Sequence, residues 1–247
     1  MKSLTLLLAL LLASTTLPCR AVVVTLDASK DNSIFSETFA QLSDGQGPFL
    51  YSGRNANDNL RRALLAFDLS AIPAGSTITG ATLTLAMDRT PTPDALNFSL
   101  HRLLADWGEG ASNSGTPGGG GAPAQAGDAT WTHALFPSTP WGTPGGTFTG
   151  TASATTSVGV VASYQWTSPQ MIADVQGWLG NPPTNFGWIL KDDESAFPAK
   201  RFVSAEGTLA ARPKLNITYE PATVPEPSAA ILLAIAATGL LGVRRSA

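Results

Sequence analysis

The hydrophobic pattern of this chain is mostly that of short strands. Ile78 to Met87 is the clearest case: Ala81, Leu83 and Leu85 fall on one face and Thr82, Thr84 and Ala86 on the other, the period of a half-buried strand. Asn97 to Leu104 alternates in the same way, with Phe98, Leu100 and Arg102 against Ser99, His101 and Leu103. The β-branched run Ala21 to Leu26 predicts an opening strand, and Arg62 to Asp68 a further one. Shorter candidates are Ile34 to Glu37, Phe49 to Tyr51, Ser163 to Trp166, Phe186 to Lys191, Arg201 to Ser204 and Lys214 to Tyr219. Pro73-Ala74-Gly75 and Pro91-Thr92-Pro93 punctuate them as turns.

One segment has helical spacing instead. Met171, Ile172, Val175, Trp178 and Leu179 share a face. Thr167 and Gln170 have capping-box spacing, Pro169 falls in the first turn, and Gly180 with Pro182-Pro183 ends the run. Two long stretches follow neither period. Gly108 to Gly127 is Gly, Ser, Ala and Pro without an aromatic residue and reads as disordered; Pro137 to Val158 is Thr, Ser and Gly around Trp141 and reads as a disordered or functional loop. Ten short strands, one short amphipathic helix and long Gly/Ser/Pro loops predict an all-β fold, an antiparallel β-sandwich of jelly-roll type.

The two ends read differently. Lys2, the apolar run Leu4 to Ala13 and a cleavage site after Ala21 have the layout of a signal peptide over residues 1–21. Pro18 before Cys19 argues against lipidation, and cleavage would remove the only cysteine, leaving no disulfide or thiol chemistry. At the other end, Val224-Pro225-Glu226-Pro227 precedes an uncharged apolar run, Ala229 to Val243, stopped by Arg244-Arg245. At ~1.5 Å per residue the run is marginal for a ~30 Å hydrocarbon core. It predicts a transmembrane segment with its basic end in the cytoplasm, the alternative being a buried core helix. Residues 22–220 between the ends form the expected domain, long enough for one sizeable core.

Charge and composition narrow the chemistry. Setting aside Lys2, Arg20, Arg244 and Arg245 from 15 basic residues, and Glu226 from 18 acidic ones, leaves 11 and 17, a domain charge near −6. No basic cluster exists, which excludes nucleic acid as a partner. The only two histidines, His101 and His133, make no triad with a nucleophile, and zinc-ligand spacing is absent. A polysaccharide hydrolase needs two carboxylates across a groove. Asp106 with Glu109, or the turn Asp192-Asp193-Glu194, are the candidates, against the simpler reading of solvated acidic loops. For a structural calcium ion, Asp27, Asp31, Asp68, Asp192, Asp193 and Glu194 qualify by residue type alone. Sugar binding needs flat apolar faces with polar groups around them. Trp178 and Trp188 read as core, whereas Tyr51, Trp141, Tyr164 and Trp166 lie in or near loops or strand ends and are the ligand-binding candidates.

Two resemblances bear on this picture. Val224-Pro225-Glu226-Pro227, the apolar run and the terminal arginines resemble the PEP-CTERM sorting signal of Gram-negative bacteria. That resemblance implies processing by exosortase, a membrane-bound precursor, and delivery to the cell surface or extracellular matrix. The domain resembles the DNRLRE-type domains, which include carbohydrate-binding module family 96. The match rests on Leu64 to Ser70, Ile72 to Ile78, Ala81 to Leu85, Trp107-Gly108-Glu109 and Ala129-Thr130-Trp131. It continues in Val175 to Trp178, Asn185 to Leu190 and Arg212 to Tyr219, with a loose echo of the name-giving hexapeptide at Asp58 to Arg62. These are core and turn residues, so the resemblance implies a jelly roll and an association with polysaccharide, and transfers no ligand contact. The expectation is an exported, non-catalytic protein that binds or organises polysaccharide. A polysaccharide-degrading enzyme using loop carboxylates, and a structural biofilm-matrix protein without a glycan site, are the alternatives.

Overall fold

A computed structural model describes residues 20–37, 41–116 and 119–222. Among these residues, ten strands of four or more residues and one α-helix make an all-β, wholly antiparallel fold. In chain order the strands are β1 Val22–Phe35, β2 Phe49–Arg54, β3 Leu60–Phe67, β4 Thr77–Arg89, β5 Leu96–Arg102, β6 Ala154–Val158 and β7 Ala162–Thr167. The helix α1 Pro169–Gly180 follows, then β8 Trp188–Lys191, β9 Lys200–Val203 and β10 Lys214–Glu220. The signal-peptide run and the whole Val224 to Arg245 tail lie outside the described residues, within which no helix is long and apolar enough to cross a membrane.

Two sheets face each other. One has the order β2–β9–β4–β7, with β10 also paired to β4. The other has the order β3–β8–β5–β6. β1 belongs to both: Val22 to Asp27 pair with β10, and Ala28 to Phe35 pair with β3 after a bulge between Ala28 and Lys30. β2 makes a second corner, pairing Gly53 and Arg54 with β3. Through these two corners β1, β3, β2, β9, β4 and β10 close on themselves as a six-stranded ring. Closure leaves those strands no free edge for another chain to pair with.

The core between the sheets follows from the alternation in the sequence. Ile78, Ala81, Leu83, Leu85 and Met87 of β4 point inward and are buried, while the residues between them are partly exposed. They meet Leu65, Phe67, Phe98, Leu100, Trp166, Trp188 and Phe202 from neighbouring strands. α1 lies against β4 with Met171, Val175 and Trp178 buried, the indole of Trp178 standing edge-on to Trp188 at 4.5 Å. The cap falls one residue later than the capping-box spacing indicates: Ser168 Oγ accepts from Met171 N–H at 3.0 Å. Ser168 suits this position because its short hydroxyl reaches the otherwise unpaired first-turn amides.

A second apolar cluster sits on the outer face of the β3–β8–β5 sheet. Ile34, Leu64, Ala66 and Ile189 from the strands pack under Leu103, Trp107, Ala129, Ala134 and Trp141. The long segment between β5 and β6 is therefore a layer of the protein. The disorder expected for Gly108 to Gly127 is corrected for its described residues. Asp128 collects Ala111 N–H (2.8 Å) and Gln125 N–H (2.6 Å), and Gly108 and Gly127 are hydrogen-bonded to Ala134 and Phe136 carbonyls. A Cβ on Gly108 would stand 1.6 Å from the Gly127 carbonyl oxygen, so the glycine permits this close crossing.

Candidate functional site

The four aromatic candidates separate once the layers are built. Trp166 faces the main core, fully buried, with its indole N–H given to the Phe98 carbonyl at 2.8 Å and Phe202 against its edge. Trp141 is 5 % exposed, and its N–H goes to the Thr130 carbonyl at 2.8 Å. Both are corrections: they sit near loops in sequence, but those loops fold over them and close their faces to a ligand. Tyr164 is partly exposed, and its hydroxyl donates to Val160 O and accepts from Gly159 N–H. It ties the β6–β7 turn. Tyr51 alone of the four lines an open groove.

That groove has a volume of about 380 Å3 and is walled by β2, β9, the end of β4 and the segment at Gly119-Gly120. Phe197, 44 % exposed, supplies most of its aromatic surface, and Tyr51, 8 % exposed, shows only an edge to it. Arg61, Arg89 and Arg201 supply its charge and Asn55 a neutral amide. Two of the arginines are fixed by carboxylates. Arg201 makes a fork with Asp88, both contacts 2.9 Å, and stacks on Phe49 at 3.7 Å. Arg61 forks onto Glu37 at 2.6 and 2.7 Å and stacks on Phe35. Arg89 is exposed and has no carboxylate partner among the described residues. Burial lifts the Tyr51 phenol above its ordinary range, so its hydroxyl keeps its proton at neutral pH. The described lining contains no Asp or Glu. A ring-sized apolar face flanked by fixed cations and an amide can receive a flat, hydroxylated, acidic ligand.

A second cavity, about 390 Å3, lies between β3 and α1 and is lined mainly by aliphatic and aromatic carbon. Two buried polar atoms at its wall, Trp178 Nε1 and Asn185 Oδ1, have no hydrogen-bond partner.

No protein-family model matches this chain, and no curated protein matches it. The geometry of the groove therefore carries the functional reading.

The acidic candidates are dispersed. Asp27 is an exposed partner of Lys214, and Asp68 is exposed and accepts from its neighbour Ser70. Glu194 forks onto Arg62 at 2.6 and 2.9 Å, and exposed Asp193 accepts from Ser195. Asp192 is buried beside them; burial, with the charges of Glu194 and Asp193, raises its pKa to about 6. Asp106 pairs with Lys30 at 2.8 Å, whereas Glu109 turns to accept Asp31 N–H, so these two do not face one another across a groove. His101 is structural: Nδ1 lies 2.9 Å from Thr149 O and the ring packs on Phe148. His133 binds the Thr132 hydroxyl through Nδ1. Of the proposed calcium ligands, Asp192, Asp193 and Glu194 neighbour one another in a single turn, and Asp31 lies beside Glu109 and Glu206, two carboxylates outside that set. Arg89 and Phe197 were missed as well; an exposed arginine and phenylalanine carry no local pattern that marks them.

Proposed function

We propose that this protein is an exported, non-catalytic surface or matrix protein that binds acidic polysaccharide in the Tyr51–Arg89–Phe197 groove. The observation that carries the reading is the pairing of the exposed Phe197 ring with Arg89, a cation without a carboxylate partner among the described residues, in a groove whose described lining is free of acids. Uronate units present both a C–H face and a carboxylate, the two features this lining complements. The absence of carboxylates from that lining favours binding over hydrolysis, which works through a pair of them. The strand orders β2–β9–β4–β7 and β3–β8–β5–β6 support the jelly-roll reading, as two Greek keys folded face to face. Export and sorting rest on the two terminal signals. In this reading Val224, Pro225, Glu226 and Pro227 present the chain to exosortase, and the Ala229 to Val243 run anchors it in the membrane at least transiently.

The test is retention of the full-length protein on alginate, on polygalacturonate, on cellulose and on the producer's own exopolysaccharide. Retention on acidic polymers, weakened by salt and reduced about tenfold by Arg89→Ala or Phe197→Ala, is the expected result. Equal retention of the variants would remove the groove from the account. Loss of all glycan binding would leave a structural matrix role.

A further inference from the structure

Away from the groove lining, four carboxylates from four separate chain segments converge at one end of the sandwich. Asp31 comes from the second half of β1, Asp44 from the turn before β2, Glu109 from the covering layer and Glu206 from the turn after β9. Each has its backbone tightly placed. Asp31 N–H donates to Glu109 Oε1 at 2.9 Å, Ala205 N–H donates to Asp31 Oδ2 at 2.7 Å, and Ser114 satisfies both oxygens of Asp44. A Cβ on Gly45 would stand 1.8 Å from Glu109 O, so the Asp44 turn and the Glu109 segment are in direct backbone contact.

Two oxygens at the centre are left over. Asp31 is wholly buried, and its Oδ1 has no hydrogen-bond partner; Oε2 of Glu206 is buried and equally unpartnered. The two carboxyl groups lie within hydrogen-bonding reach of each other. A buried unpaired carboxylate is costly, and two side by side are more so. Lys30, the cation beside Glu109, is turned to Asp106 and the Trp107 carbonyl, and Arg212 nearby gives its Nε–H to the Gly207 carbonyl. Lys30 helps Glu109 but offsets nothing at Asp31. Burial and then the charge of Glu206 hold the Asp31 carboxyl well above its ordinary range. Burial likewise raises Asp44 and Glu109, with Glu206 again adding to both.

We propose that Asp31 and Glu206 are the paired ligands of a divalent cation of the Ca2+ class, which joins β1 to the turn after β9 beneath the covering layer. A proton shared between the two would discharge one pair and leave Asp44 and Glu109 facing the remaining charge; a 2+ ion answers all four. The donors are oxygen alone, which suits a hard cation and not zinc. Among the described residues no three Asp, Glu, His or Cys side chains surround a common point. Loop carbonyls and water would have to complete the shell, which Ca2+ accepts and Mg2+, with its stricter octahedron, accepts less readily. The site is independent of the glycan reading.

The test uses the full-length protein after treatment with chelator. Addition of Ca2+ to a hundredfold above its dissociation constant should raise the melting temperature by about 5–10 °C. Tb3+ should bind the same site and be displaced by Ca2+. Asp31→Asn and Glu206→Gln should each lose the shift and weaken Tb3+ binding at least tenfold (a minimum for one lost charged ligand). In chelator both should melt at or above the parent, because each removes repulsion. The wild-type titration stands even if a variant fails to fold. The proposal is overturned if millimolar Ca2+ moves neither signal, or if both variants keep the full shift. It is overturned too if only lowering the pH stabilises the chelated protein and Ca2+ adds nothing, which would make the pair a proton-sharing one.

Discussion

Replacing Asp192 with Asn should make this protein more stable at neutral pH. Asp192 is 2 % exposed, follows β8 and keeps one oxygen, Oδ1, on Glu194 N–H at 3.0 Å. Its Oδ2 is buried without a donor. Burial is the main reason its pKa stands at about 6 against an ordinary 3.8. Between those values the folded protein holds a proton that the unfolded chain has released, so the stability this group contributes is fully present below about pH 4. It is lost as pH rises through about 6. A displacement of about two units corresponds to roughly 3 kcal/mol at its upper bound, and screening by nearby solvent reduces it to about 1–2 kcal/mol. Asparagine keeps the Oδ1 acceptor and the shape, and has no charge to bury. Urea unfolding should therefore show Asp192→Asn more stable than the parent by about 1–2 kcal/mol near pH 7.5 and within a few tenths of it near pH 4. The reasoning fails if Asp192→Asn is destabilised at the higher pH, or if its effect is the same at both. Either result would mean that the carboxylate is solvated or paired in the folded protein.

Two further substitutions probe the frame. Asp174→Ala on α1 would strand the Trp188 indole N–H and the Ser153 hydroxyl, both of which it accepts in the core; a loss of about 3 kcal/mol or more in urea unfolding is expected, with a smaller loss for Asp174→Asn. Gly187→Ala combines a φ of +76° with a Cβ 2.0 Å from the Leu65 carbonyl oxygen, so it should lower the melting temperature by about 6 °C or more, or prevent folding.

What was legible in the sequence is what depends on neighbours along the chain. The alternation over Ile78 to Met87 became the inward and outward faces of β4, and the 3.6-residue spacing around Val175 became the buried face of α1. β1 looks like two pieces in the sequence, because its halves belong to different sheets and its second half is buried on both faces, which erases the alternation. β6, Ala-Thr-Thr-Ser-Val, has the composition of a loop, because its edge position leaves Thr155 and Ser157 exposed and its polarity hides the strand. Trp141 and Trp166 were read by their distance from loops in sequence, a poor guide when a loop segment is itself a packed layer. The Asp31–Glu206 pair spans the chain from β1 to the turn after β9, and no local spacing announces such a site.

The covering layer links the two sites. Its glycine-rich composition reads as disorder, yet Asp128, Asp44 and the strand carbonyls hold its described residues in place. Few bulky side chains are needed, because glycines bring backbone against backbone at Gly45 and Gly108 and let the Asp128 carboxylate sit directly against Gly110. The same segment reaches both sites: Ser114 grips Asp44 beside the buried carboxylates, and Gly119 lies so close to the Tyr51 ring that a Cβ there would stand 3.3 Å away. A segment with so little apolar surface of its own gains its order from what it is pinned to.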